Sequence, residues 1–86
     1  MRRAKVHPQI NTYRLETGAK GYITQKELAI DAGVGERRAR MLYGDIEKMI
    51  RKNGKIPLSY GLSVGAVNEY LGLDQQEIEH LAAKGL

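Results

Sequence analysis

From Ile23 onward, apolar residues recur at helical spacing in blocks separated by glycine. Leu28, Ala29 and Ala32 form one block; Ala39, Leu42, Ile46, Met49 and Ile50 form the next, with Gly33 between them. This spacing predicts a helix from Gln25 to Ala32 and a longer one from near Gly35 to about Asn53, stopped by Gly54. Thr24, followed three residues later by Glu27, has the spacing of a capping box and marks where the first helix opens. Gly33 stands where the chain must leave that helix, a position that favours left-handed backbone and therefore glycine. Leu28, Ala32, Val34, Ala39 and Leu42 are spaced to close both helices over one core. Ala29 is the small residue that lets the backbones approach where they cross. This is the residue pattern of a helix-turn-helix.

The flanking segments are patterned more weakly. Pro8 suits the first position of a helix that continues through Ile10, Tyr13, Arg14 and Thr17 to Gly18. Gly21, Tyr22 and Ile23 form a brief extended stretch before the Thr24 cap. Residues 55–64 offer two short apolar stretches around a Ser59, Tyr60, Gly61 turn; they read either as a small wing or, because Pro57 confines them to edge pairing, as a plain loop. Ser63 caps a helix carrying Val64, Val67, Tyr70 and Leu71 as far as Gly72. Asp74 with Glu77 repeats the capping-box spacing ahead of Ile78, Leu81 and Ala82, with Gly85 beyond. The expected fold is mainly α: a single domain over residues 1–86 comprising a basic arm (1–7), the helix-turn-helix (24–53), a short β-wing (55–64) and C-terminal helices (64–84).

At 86 residues the chain is too short for a separate catalytic lobe, and the absence of Phe and Trp makes its core aliphatic, with five tyrosines at the margins. Cysteine is absent, which removes disulfides and thiolate metal sites and favours an intracellular home. No apolar run has the length of a membrane span, so no membrane partner is expected and a soluble, cytoplasmic protein is. His7 and His80 have no spacing suited to a metal or to a nucleophile and base. Capping and solvation account for Asp74, Glu77 and Glu79, and the ten glycines form no phosphate cradle. The expectation is no enzyme, no cofactor and no metal.

Charge sharpens the picture. The net charge of +4 divides into +7 over residues 1–55 and −3 over residues 56–86, the distribution of a protein that turns one face to a polyanion. At about 100° per residue, Arg37, Arg40, Lys48 and Arg51 fall opposite the apolar stripe of the long helix, with Gly44 in their midst. Residues at the start of the second helix of such a motif meet base edges in the major groove, which nominates Arg37 and Arg40; Lys48 and Arg51 suit phosphates. Arg38, on the flank, reaches a phosphate or lies over the core. Gly44 reads as a point of close approach to a DNA backbone or as a bend or packing position. Thr24 and Gln25 at the start of the first helix, and Lys55 and Tyr60 in the wing segment, complete the candidate contact set. Arg2, Arg3 and Lys5 read as a DNA-following arm or as a solvated tail.

Ile-Thr-Gln-Lys-Glu-Leu-Ala, Gly-Val-Gly-Glu-Arg-Arg-Ala-Arg, Lys-Ile-Pro and Val-Gly-Ala-Val-Asn-Glu-Tyr-Leu-Gly, in that order between Ile23 and Gly72, resemble the small excisionase-like winged helix-turn-helix proteins of phages and integrative elements. The resemblance covers a little over half of the chain. It implies a protein that binds and bends double-stranded DNA near an attachment site and helps an integrase assemble for excision, in some cases while regulating transcription. Two features depart from the family: the helix from about Gly35 to Asn53 is longer, and the wing lacks an Arg-rich tip. A domain this small reads few base pairs, so a homodimer or an array on DNA is expected if binding is specific. The alternative function is a protein-interaction or virion-assembly module that keeps the fold without using it on DNA.

Overall fold

The computed structural model describes residues 7–86; the basic arm expected at the N-terminus, with Arg2, Arg3 and Lys5, lies outside the described residues. Five helices follow in order: α1 (Ile10–Gly18), α2 (Gln25–Ala32), α3 (Glu36–Lys52), α4 (Val64–Leu71) and α5 (Gln75–Ala83). Two short strands, β1 (Tyr22–Ile23) and β2 (Leu62–Ser63), lead into α2 and α4. They pair antiparallel, Tyr22 opposite Ser63 and Ile23 opposite Leu62. The fold is mainly α with one small two-stranded sheet.

Local chemistry sets the boundaries of α2. The Thr24 hydroxyl accepts from the Glu27 N–H at 3.3 Å while the Thr24 N–H donates to Glu27 Oε1 at 2.9 Å, so the capping box is complete. At the other end Gly33 turns left-handed at φ 67°, and the N–H groups of Gly33 and Val34 return to the carbonyls of Ile30 and Ala29 at 3.1 and 2.9 Å. Gly35 then serves as the N-cap of α3. Caps contribute about 1 kcal/mol each, whereas burying one large aliphatic side chain contributes about 1.5–3 kcal/mol. Caps therefore place the helix ends, and the shared core holds the helices together. That core is Ile23, Leu28, Ile46, Ile50, Leu62 and Val67, ringed by Leu42, Tyr43, Met49, Val64, Ala66 and Leu71.

The architecture repeats. Shifted by 39 residues, Ile23, Thr24, Leu28, Ala32, Gly33, Val34, Ala39 and Leu42 become Leu62, Ser63, Val67, Leu71, Gly72, Leu73, Ile78 and Leu81. The structure matches the correspondence step for step. Ser63 caps α4 by accepting from the Ala66 N–H at 3.3 Å, and Gly72 closes it left-handed at φ 70°. The Gly72 and Leu73 N–H groups return to the Glu69 and Asn68 carbonyls at 3.3 and 2.8 Å. Beyond α1, the described residues form two strand-helix-turn-helix units, joined through the β1–β2 pair.

Three sequence expectations change. The segment expected as a wing supplies β2, but its strand partner is β1, and residues 53–61 cross to it as an irregular loop. The loop enters the sheet at Gly61, where a Cβ would lie 2.9 Å from the Ile23 carbonyl oxygen, a distance that leaves room only for glycine. Pro8 sits in a turn ahead of Gln9, the residue that precedes α1, instead of at the first helical position. Asp74 caps α5 by accepting from Gln76 N–H at 3.1 Å, and Glu77 does not return the bond.

Candidate nucleic-acid interface

α3 is 17 residues long and divides cleanly around its circumference. Ala39, Ile46 and Ile50 are buried, while Arg37, Arg38, Arg40, Met41, Lys48, Arg51 and Lys52 are exposed. The apolar side is spent on the core, so the cationic side is turned outward by necessity. Helical geometry gathers Arg37, Arg40, Gly44, Lys48 and Arg51 into one stripe along the outer face, with Arg38 on its flank. Glu36, Asp45 and Glu47 lie to either side of that stripe.

None of these cations is neutralised. Among the described residues the salt bridges are Arg14–Asp31 and Lys20–Glu27, neither of which involves a residue of α3. Each guanidinium and ammonium of the stripe therefore keeps its full donor capacity for a partner outside the chain.

Gly44 adds a second feature. It lies within unbroken helix at an ordinary helical φ, and a Cβ built on it meets nothing within 4 Å. Neither a left-handed backbone nor close packing calls for glycine here, although glycine costs a helix about 1 kcal/mol relative to alanine. Its effect is a bare patch in the middle of the cationic stripe.

The remaining candidates occupy different settings. Gln25, the first residue of α2, is half-buried and lines a shallow hollow with Lys26, Glu36 and Arg40, which sets the start of α2 beside the start of α3. Lys26, which the helical pattern of the sequence does not nominate, joins the candidate set by its position there. Thr24 is committed to capping. Lys55 is exposed just past the end of α3. Tyr60 belongs to another cluster: its ring stands edge-on to Tyr22, with centroids 4.8 Å apart, and Lys20 Nζ lies 5.1 Å from the Tyr22 centroid.

Behind this surface a polar clamp fixes α2. Arg14 Nε contacts Asp31 Oδ1 at 2.6 Å, its Nη2 donates to the Asp31 carbonyl at 2.8 Å, and its Nη1 donates to Asn11 Oδ1 at 3.2 Å. Asp31 is only 4% exposed; its burial raises the carboxyl pKa, and the Arg14 hydrogen bond and charge offset part of that rise. The clamp ties α1 to the end of α2, one residue pair before the turn that aims α3. The sequence carried a hint of it, since Asp31 shares the inward side of α2 with Leu28. Burial also pushes Glu27 up, but its bonds from Lys20 and Thr24 outweigh this and hold it below its usual range.

Among the described residues no helix is long and apolar enough to cross a membrane, and no group of three or more acidic or histidine side chains could hold a metal ion. Compared with known proteins, the chain matches no family model, no curated protein and no solved structure.

Proposed function

We propose that this protein binds double-stranded DNA through the outer face of α3, in the cytoplasm, as a small recombination directionality factor or transcriptional regulator of a phage or mobile element. The observation that carries the binding reading is the stripe of exposed, unpaired cations on the second helix of a helix-turn-helix. Arg37 and Arg40, at the leading end of α3, take base edges; Arg38, Lys48, Arg51 and Lys55 take phosphates. The excisionase-like residue order supports the recombination role and makes an integrase, or further copies of the chain on neighbouring sites, the expected partners on DNA. One domain covers few base pairs, so specificity at a physiological site comes from copies bound side by side.

The test is fluorescence anisotropy with duplex DNA at several salt concentrations, for the natural protein and for Arg37→Ala/Arg40→Ala. Four phosphate-facing cations give a slope of log K against log salt of about −3.6. Binding with such a slope, weakened in the double variant, is the expected result. Absence of binding at low salt refutes the reading and leaves the protein-interaction alternative.

A further inference from the structure

Met41 is 66% exposed, on a helix whose other inward or flanking aliphatic residues are engaged with the core. It stands one turn beyond Arg37, beside Arg40 and one turn before Gly44, on the outward side of α3. An apolar thioether is thus held in the middle of a cationic face, next to a patch where Gly44 presents no side chain. Phosphates offer such a group nothing. The floor of the major groove does: thymine places its C5-methyl beside an acceptor, and guanine places two acceptors where an arginine can reach them.

We propose that Met41 is a specificity-determining residue that packs against the C5-methyl of a thymine lying next to a guanine read by Arg37 or Arg40. The proposal rests on α3 being the DNA-facing helix. At a rise of about 1.5 Å per residue, Met41 lies about 6 Å along the axis from Arg37, which sets the two contacts roughly one to two base pairs apart. Gly44 lets the helix sit close enough to the groove for this side chain, which has no charge to reach with, to touch a base.

The experiment selects the preferred duplex from a randomised pool, then replaces its thymines one at a time by uracil, which removes only the methyl group. Dissociation constants are measured for the natural protein, Met41→Ala and Met41→Leu. The expected result is one or two positions at which uracil weakens the natural protein about fourfold, the worth of one buried carbon. That penalty persists in Met41→Leu and vanishes in Met41→Ala. Uracil penalties that are equal in the natural protein and in Met41→Ala, or absent from both, overturn the proposal while DNA binding stands. Failure of the natural protein to bind any duplex at low salt overturns both the proposal and the reading beneath it.

Discussion

Gly44→Ala separates what the fold needs from what the surface needs. In free protein the new methyl meets no atom within 4 Å beyond the backbone of its own helix, and Gly44 is not among the positive-φ glycines, so no strain opposes it. The substitution removes the helix cost of glycine, much of it the greater freedom of glycine in the unfolded chain, about 1 kcal/mol in favour of the fold. For a domain of this size 1 kcal/mol raises the melting temperature by about 4–8 °C. If the bare patch is where the duplex comes closest, the same methyl is driven against DNA, and an overpacked contact costs about 1–3 kcal/mol, fivefold or more in Kd. Thermal melts followed by circular dichroism and anisotropy titrations on one preparation read both effects. A variant that is more stable and binds DNA as tightly as the natural protein refutes a close approach at Gly44. A variant that is less stable refutes the account of the helix itself.

Arg37→Ala costs about 1–3 kcal/mol on a selected sequence and little on random DNA, whereas Lys48→Ala or Arg51→Ala weakens binding to both and lowers the salt slope by about one; paired titrations on the two duplexes check this. Arg14→Met leaves Asp31 buried without its charge partner and destabilises the fold by about 3 kcal/mol, measured by urea unfolding. Glu27 is held below its ordinary pKa of 4.5, so its contribution to stability is present above that value and is lost as pH falls below it; Glu27→Gln flattens this part of the stability–pH curve. Asp31, raised by burial, acts in the opposite sense, its contribution being present below its ordinary value and lost as pH rises.

The parts of the fold legible in the sequence are those decided by neighbours along the chain. Thr24, Glu27 and Gly33 specify the bounds of α2 through hydrogen bonds spanning a few residues, and the alternation of Ile46, Met49 and Ile50 with Lys48 and Arg51 specifies which side of α3 faces out. The pairing of β2 with β1 was not legible, because it is selected by Ile23 and Leu62 entering the same core from opposite halves of the chain. The two helices of the second unit are legible in the sequence, but their correspondence to the first is obscured for a different reason. Asn68 occupies the place of the small Ala29, and Gln76 and Glu79 occupy the places of Arg37 and Arg40, so the repeat survives in its apolar and glycine positions while its surface has diverged. Local spacing puts Asp31 on the inward side of α2 but does not name Arg14, 17 residues away, as its partner; that pairing depends on tertiary proximity.

The β1–β2 pair also determines what can be transplanted. Four of the six core residues, Ile23, Leu28, Ile46 and Ile50, belong to the first unit, and Leu62 and Val67 belong to the second. A fragment ending at Asn53 would keep every cationic group of α3 yet expose the floor on which that helix rests and leave an unpaired strand edge, a template for aggregation. The outward-facing helix is therefore not a detachable cassette. Moving that helix onto another scaffold means carrying the second unit with it, or rebuilding the surface that Leu62 and Val67 supply.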